Sequence, residues 1–381
     1  MATERTTCFS PSRRRLLQAL ALCGLLPDAL LRPASAAPSS ILVSGYYERR
    51  GTQMDNRLRW RHPNGTARNE LALDFRGHGL YPHPAKPSHV VVFARRPGRR
   101  LVEVDLATAR ITHDVSATPG RHFFGHGVFS ADGSRLYTTE NDYEAGRGMI
   151  GVRNGTTLGL IEEFPSAGIG PHDIRLLSDD QTLVVANGGI LTHPDQPRRK
   201  LNLHAMRPDL TYLDRRDGRV HERRRLDDHQ LSIRHLAVTR DDQVVAVQQY
   251  EGSRHRLPPL VMVHRPGQPP RLLRADDATQ RRMDWYTASV AADSRSATAL
   301  VTSPRGNLIT LWDIEADRLI RSFDLRKPYG AALAPDGHRY AISCADGALF
   351  GMAPDGSDLR RLQATDDGAW DNHLMWIGSG R

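Results

Sequence analysis

Cysteine is almost absent from this sequence. Of its three cysteines, Cys8 and Cys23 fall within the first 36 residues, which leaves only Cys344 in the rest of the chain. A single cysteine excludes an intrachain disulfide and any metal site built from paired cysteines. Cys344 ends the apolar run Ala-Ile-Ser-Cys, so we interpret it as a buried and unreactive thiol.

Aromatic residues and lysine are also scarce, and long apolar runs are missing after the N-terminus. Aromatics make up 6% of the chain, and the formal charge of +9 is carried almost wholly by arginine. Beyond residue 36 there remain 47 basic and 41 acidic residues, a charge of +6 that is scattered along the sequence. Without a basic stripe interleaved with aromatics, a nucleic-acid role is disfavoured. No remaining apolar run is long enough to span a bilayer.

Familiar catalytic motifs are missing as well. The sequence has no nucleophile elbow, no His-Glu-x-x-His pair and no phosphate-binding loop. Enzymes of those classes are therefore excluded. A binding protein, or an enzyme that uses a less familiar site, remains open.

The first 36 residues have the parts of an export signal. Arg13, Arg14 and Arg15 precede an apolar run, and the small residues Ala34-Ser35-Ala36 follow it. This order predicts cleavage near Ala36 and a periplasmic location. The arginines followed by Leu-Leu resemble the twin-arginine signal, which exports folded proteins, and an ordinary secretory signal is the alternative. We predict a signal peptide at 1–36 and a single domain at 37–381.

A short unit recurs along the rest of the chain. Gly125–Gly133 is typical of a short strand that starts near a histidine and ends in an Asp-Gly turn, and a second apolar run follows at Arg135. Counterparts place seven anchor positions at residues 78, 126, 172, 235, 287, 330 and 373, with spacings of 48, 46, 63, 52, 43 and 43 residues. Repeats of this length that are built from short strands are typical of a β-propeller.

The strand count predicts an all-β, seven-bladed β-propeller. Only one strand follows the last anchor, and three precede the first, at 41–46, 58–62 and 70–75. One C-terminal strand and three N-terminal strands together complete a blade of four and close the ring. The longest spacing is explained by an insertion at 188–208 between the second and third strands of its blade.

Five of the seven anchors are histidines, and inner strands begin at one mouth of a propeller's channel. We therefore predict a ring of imidazoles formed by His78, His126, His172, His235 and His373, with Thr287 and Gly330 at the other two positions. Neutral histidine is the commonest protein ligand of transition metals, so these five are candidate ligands for iron, copper or a haem iron. The alternative is structural, because histidine can also satisfy backbone groups in a narrow channel. Among the twelve other histidines, His83, His122 and His204 are expected near the same face.

Charged and aromatic neighbours extend this candidate site. Arg76, Arg121 and Arg234 precede ring positions and are candidates for holding carboxylates of a bound anion or porphyrin, and Tyr286 and Tyr329 precede the two non-histidine anchors. Asp173 follows His172 directly and is a candidate for orienting a histidine or acting as a base.

Five motifs give the chain a resemblance to a known family. They are Arg76-Gly-His-Gly, Gly125-His-Gly-Val-Phe-Ser, Gly170-Pro-His-Asp-Ile, Lys200-Leu-Asn-Leu and Ile233-Arg-His. With these, the mature chain resembles bacterial twin-arginine-exported proteins of unassigned function that are similar to YncE-like seven-bladed propellers. The resemblance implies a periplasmic location and encoding beside imelysin-type iron-uptake proteins and di-haem oxidoreductases.

The leading hypothesis is a monomeric periplasmic propeller that binds iron, haem or an iron complex at the histidine-lined mouth and assists iron acquisition. Imelysin-type proteins are the expected partners. Two alternatives stay open: an oxidoreductase or lyase that uses the same funnel, and a docking platform for another protein.

Overall fold

The computed structural model describes residues 40–378 except 64, 66, 67, 197 and 198, so the interpretation of residues 1–36 lies outside the described part. In that part, 28 strands form seven four-stranded antiparallel sheets. The N-terminal strands are β1 (Ile41–Arg50), β2 (Gln53–Arg61) and β3 (Arg68–Leu73). The first blade is β4 (Gly77–Pro82), β5 (His89–Ala94), β6 (Arg100–Asp105) and β7 (Arg110–Ser116). The second is β8 (Arg121–Phe129), β9 (Arg135–Asp142), β10 (Arg147–Asn154) and β11 (Leu160–Pro165).

The remaining blades follow in chain order. The third is β12 (Pro171–Leu176), β13 (Thr182–Asn187), β14 (Asp209–Asp214) and β15 (Val220–Arg225). The fourth is β16 (Leu231–Val238), β17 (Val244–Tyr250), β18 (Val261–His264) and β19 (Arg271–Leu273). The fifth is β20 (Ser289–Asp293), β21 (Thr298–Ser303), β22 (Leu308–Asp313) and β23 (Arg318–Asp324). The sixth is β24 (Pro328–Leu333), β25 (Tyr340–Cys344), β26 (Leu349–Met352) and β27 (Arg360–Gln363), and β28 (Ala369–Ile377) ends the chain's strands.

The ring closes as the strand count predicts. β28 is the innermost strand of the seventh blade and pairs with β1, with Val43 opposite Met375, so the seventh sheet has the order β28-β1-β2-β3. Each innermost strand contacts the next around the ring, and β28 contacts β4. The all-β, seven-bladed propeller and its mixed closing blade are thereby confirmed.

The apolar core lies mostly between neighbouring sheets. One cluster joins Tyr137 and Ile150 of the second blade to Leu183 and Val185 of the third, and Trp312 is fully buried in the cluster between the fourth and fifth blades. Each such aliphatic side chain contributes about 1.5–3 kcal/mol when it is removed from water. The ring is therefore stabilised largely by packing between neighbouring blades.

Irregular segments lie between strands. Residues 188–208 separate β13 from β14, as the sequence analysis predicts, and contain a 3-10 turn at Leu203–Ala205. The N-cap of a short helix, α1 (Asp277–Arg282), is Asp276, whose carboxylate accepts a hydrogen bond from the Thr279 amide at 2.9 Å. Among the described residues, no helix has the length and apolarity needed to cross a membrane.

β-Bulges interrupt the pairing of six of the seven inner strands, close to the anchor positions. The shifts lie at Gly77/Leu80, Phe123/Gly127, Pro171/Asp173, Ile233/His235 and Pro328/Ala331, and in β28 opposite Ser44/Tyr46. β8 pairs with β9 on both sides of its bulge, so it starts at Arg121, before the Gly125–Gly133 unit in which the sequence places this strand. The prediction that the strand starts near the anchor histidine is wrong, because its pairing with β9 extends to the N-terminal side of the bulge.

Candidate metal centre on the propeller axis

The five anchor histidines lie together in the structure. The His78 ring packs against His373 at 4.4 Å between centroids, the His126 ring packs against His373 at 4.6 Å, and His235 packs against His172 at 4.7 Å. The bulges explain the convergence, because an extra residue in one strand turns a side chain away from the regular alternation. The predicted ring is therefore a packed cluster of imidazoles rather than an open circle.

Four of the five rings form a group of metal-binding dimensions. One ring nitrogen from each of His78, His126, His235 and His373 lies within 4.8 Å of the others. With metal–nitrogen bonds of about 2.1 Å, neighbouring nitrogens of a tetrahedral site are about 3.4 Å apart. Closure onto an ion therefore needs side-chain shifts of roughly an ångström. His172 stands beside this group, with its Nε2 3.2 Å from His235 Nε2.

A buried carboxylate orients His78. The Asp371 carboxylate lies 2.9 Å from His78 Nδ1 and accepts a hydrogen bond from Arg76 Nε at 2.6 Å. Burial raises the pKa of Asp371, but the hydrogen bond from His78 and the charges of His78 and Arg76 outweigh burial and hold that pKa well below its usual range. The ionised carboxylate keeps the proton on Nδ1, and this leaves Nε2 available as a ligand.

His126 is oriented in a similar way. Its Nδ1 lies 2.9 Å from Tyr81 Oη and 3.4 Å from Asp173 Oδ1. Asp173 also accepts hydrogen bonds from the Ile174 and Leu236 amides, so it ties β12 to β16. Burial raises the pKa of Asp173 against the opposing effect of Arg175. The carboxylate that the sequence analysis assigned to orienting a histidine thus contacts His126 rather than its neighbour His172.

Several ring nitrogens have no hydrogen-bond partner among the described residues. They include His126 Nε2, His172 Nδ1 and His373 Nε2. Burial, followed by neighbouring positive charge, holds the pKa values of His126, His172, His235 and His373 well below the usual range. These imidazoles are therefore neutral at pH 7. A neutral nitrogen that lacks a partner is the form that binds a metal ion.

Two glycines make room for the cluster. Gly125 stands in the bulge of β8 at φ +100°, and a Cβ there would lie 2.7 Å from His78 Cδ2. A Cβ on Gly79 would meet the Gly125 carbonyl oxygen at 2.0 Å. The backbones of the first two blades can approach the axis this closely only without side chains at these positions.

A cavity of about 910 Å³ adjoins the cluster, and His78, His172 and His235 form part of its wall. Of the other candidate residues, Arg76, Arg234, Tyr286 and Tyr329 also line it. Arg121 does not, because its guanidinium pairs with Glu163 at 2.7 Å and with Asp142 at 3.1 Å. The structure thus brings Arg76 and Arg234 together with the histidines, whereas the prediction that Arg121 belongs to this site is wrong.

The other histidines expected near this face do not join the cluster. His83 packs against Phe129 beside the β8–β9 turn, and His204 is exposed in the 3-10 turn. His122 is buried and stacks with Tyr143, and its Nε2 lies 3.1 Å from Asn141 Nδ2. Away from this site, Cys344 is 1% exposed, and burial raises the pKa of its thiol to about 12, so the thiol is protonated at pH 7.

Several residues of the site are not predicted from the sequence pattern. Tyr81 and Asp371 contact ring histidines from within inner strands, where a bulge changes which side chains face the axis. Arg95, Arg96 and Arg305 line the cavity from the loops after β5 and β21. These loops connect second to third strands, and in a propeller such loops open at the same mouth as the starts of the inner strands. This general property of the fold is the signal that points to the three arginines.

Comparison with known protein families identifies the family of this chain. Residues 71–377, most of the sequence and all five ring histidines, match the family described as Protein of unknown function (DUF1513). The chain belongs to this family. No curated protein matches it.

Gly125→Ala is predicted to disrupt the centre. The new Cβ would collide with the His78 ring in a backbone conformation that already disfavours side chains, so we expect a loss of about 3 kcal/mol or more in the free energy of unfolding. Gly120→Ala is the matched control, because Gly120 has φ +77° but no atom within 4 Å of the added Cβ. It should lose only about 1 kcal/mol. Denaturant unfolding that gave equal losses would contradict the close approach at Gly125.

His122 is predicted to make stability depend on pH. Burial lowers the pKa of His122 to about 4, below the ordinary 6.5 of the unfolded chain. Between these values the unfolded chain binds a proton that the folded chain does not, so this contribution is complete above pH 6.5 and is lost as the pH falls towards 4. It amounts to at most about 3 kcal/mol.

We expect His122→Gln to flatten the fall in unfolding free energy between pH 7.5 and 4.5, because protonation would place two donors, Nε2–H and the Asn141 amide, against each other. The exposed His338→Gln should retain the wild-type slope. Parallel slopes for wild type and His122→Gln would show that His122 does not carry the effect.

Proposed function

We propose that this member of the DUF1513 family is a propeller that binds a transition-metal ion at a four-histidine centre. The observation that carries the proposal is the group of His78, His126, His235 and His373, whose nitrogens lie within 4.8 Å of one another. Imidazole donors suit iron, copper, zinc and nickel rather than magnesium or calcium. Asp371 and the Tyr81–Asp173 pair supply the outer contacts that metal-bound histidines ordinarily have.

A metal ion fits this centre better than haem does. The imidazoles of the cluster pack at 4.4–5.4 Å between centroids, so no porphyrin plane fits among them. A haem in the adjoining cavity would need broad apolar walls, yet no Leu, Ile or Val of the described part of the chain lines this cavity. The donor set does not select one metal.

The physiological part of the proposal is a periplasmic role in iron acquisition. Its support is the N-terminal signal pattern and the resemblance to twin-arginine-exported proteins encoded beside imelysin-type iron-uptake proteins. In this role the propeller holds iron on its axis as a monomer and passes it to, or receives it from, such a partner. The alternative enzyme would keep the same centre and turn over a ligand in the cavity.

Metal binding is predicted to require the four-histidine group. The mature chain, free of affinity tags and stripped with EDTA, should bind one equivalent of Fe²⁺ (without oxygen), Co²⁺, Cu²⁺ or Zn²⁺, measured by elemental analysis and titration. His126→Gln and His235→Gln should each weaken binding by more than about 100-fold, because the loss of an outer contact alone costs 10–100-fold. His172→Gln should retain one ion, since His172 is outside the group.

The exposed His338→Gln is the control for histidine content, and far-UV circular dichroism of each variant is the control for folding. A wild-type chain that retains no ion, or a folded His126→Gln protein that binds like wild type, would overturn the metal function. Product formation with unchanged metal content would instead favour the enzyme.

Export is predicted to depend on the arginines of the signal. Residues 1–40 fused to a reporter that folds in the cytoplasm should deliver it to the periplasm of a bacterium with a twin-arginine system. Replacing Arg13, Arg14 and Arg15 by lysine should abolish delivery, whereas Arg5→Lys should not. Cell fractionation measures both. Unchanged delivery by the triple variant would indicate an ordinary secretory signal.

A further inference from the structure

The cavity beside the histidine cluster has an unusual charge. Among the residues that the structure describes, no Asp or Glu lines it, and six cationic side chains do: Arg76, Arg95, Arg96, Arg234, Arg305 and Lys327. They come from five different places around the ring, so the concentration of positive charge is created by the fold rather than by one basic stretch of sequence.

Most of this charge has no ionic partner. Arg76 is bound to Asp371, but Arg95, Arg96, Arg234 and Lys327 form no salt bridge with any described residue. Glu251 is the carboxylate whose charge acts on the pKa of Arg234, which it raises. The same carboxylate forms a salt bridge with Lys200 at 2.5 Å. Of the six cage cations, Arg76, Arg96 and Arg234 are half-buried, and Arg95, Arg305 and Lys327 are exposed. By contrast, the almost fully buried Arg59 and Arg153 are matched with the carboxylates of Glu70 and Glu140.

The unpaired guanidiniums act on one another. Burial, with the charges of Arg234 and Arg95, lowers the pKa of Arg96 to about 10, and burial lowers the pKa of Arg234. Both groups remain charged at pH 7. Like charges that are half-buried together raise the energy of the empty cavity, and a bound anion would relieve that cost.

Aromatic rings hold several of these guanidiniums in place. Arg76 lies over Tyr47 at 3.9 Å, and Arg305 lies over Tyr286 at 4.4 Å. Stacking of this kind limits the motion of a flexible side chain while its N–H groups stay available. The cations are therefore partly organised before any ligand binds, which lowers the entropic cost of binding.

We propose that this cavity, which we call the arginine cage, binds a small hydrophilic molecule with two or more anionic oxygen groups. Guanidiniums recognise carboxylate and phosphate oxygens in the same bidentate geometry, and these groups are the shared chemistry of the ligand. A volume of about 910 Å³ exceeds that of a single inorganic ion. The polar lining excludes a lipid or a porphyrin as the natural ligand.

The ligand would lie against His78, His172 and His235. If the proposed metal function holds, an oxygen of the anion is placed to become an additional metal ligand, and the cage would then recognise a metal–polyanion complex. Anion binding itself does not rest on the metal function, because the six cations of the cage lie outside the four-histidine group.

The test uses the metal-free mature chain at constant ionic strength. Isothermal titration with citrate and with pyrophosphate should each give one site, with acetate binding at least about 10-fold more weakly. A preference for citrate identifies a polycarboxylate, and a preference for pyrophosphate identifies a phosphate compound. Arg96→Gln and Arg234→Gln should weaken binding by at least about 10-fold and should not lower the melting temperature without ligand, since each removes an unpaired charge.

Arg216→Gln is the matched control, because Arg216 is 72% exposed in its side chain and lies outside the cage. It should bind like wild type. Equal binding of acetate and citrate, binding that survives both cage substitutions, or saturation by hemin alone would overturn the proposal. The anion titration is carried out without metal, so a negative result in it would not contradict the metal function. A negative result in the metal titration of the histidine variants would likewise not contradict anion binding.

Discussion

Every inner strand of the propeller has to reach the axis while it stays hydrogen-bonded to the second strand of its own blade. The β-bulges resolve this conflict in six blades, because an extra residue on the inner strand turns one side chain inward without ending the sheet. The imidazole cluster depends on this device. His78, His126, His172 and His373 stand within bulges and His235 directly follows one, so five histidines from distant repeats meet on the axis.

The sign of the charge differs between the histidine cluster and the adjoining cage. At the cluster, burial keeps the imidazoles neutral, and the carboxylates of Asp371 and Asp173 are the nearby negative groups, a combination suited to a metal cation. In the adjoining cage the sign is reversed, because Arg96 and Arg234 point guanidiniums into a space without carboxylates. The proposed cation site and the proposed anion site thus share a wall formed by histidine rings. A single ligand that carries both charges, a metal held by an anionic chelator, would satisfy both.

Much of this arrangement is predictable from sequence, since the repeat spacing gives seven blades and the shared register of the histidines gives the cluster. What the pattern could not give is which nitrogen faces which partner. Tyr81 and Asp371 lie beside bulges, where the two-residue alternation that sequence reasoning uses breaks down. Arg121 is a residue that the pattern wrongly assigned to the site. It precedes a ring histidine in sequence, but β8 is already paired with β9 at Arg121, and there the guanidinium forms a salt bridge with Glu163.

A purely structural role for the histidines is disfavoured, because several of their ring nitrogens lack hydrogen-bond partners among the described residues. Histidines kept to satisfy backbone groups should have partners for their nitrogens, yet His126 Nε2, His172 Nδ1 and His373 Nε2 have none among the described residues. A buried polar atom without a partner costs about 1–3 kcal/mol, so these three together cost several kcal/mol of a stability that is typically about 5–15 kcal/mol. Apolar side chains would fill the same space without that cost. A transition-metal ion accepts nitrogen lone pairs, so in the proposed function it would remove this cost for His126 and His373, which belong to the four-histidine group.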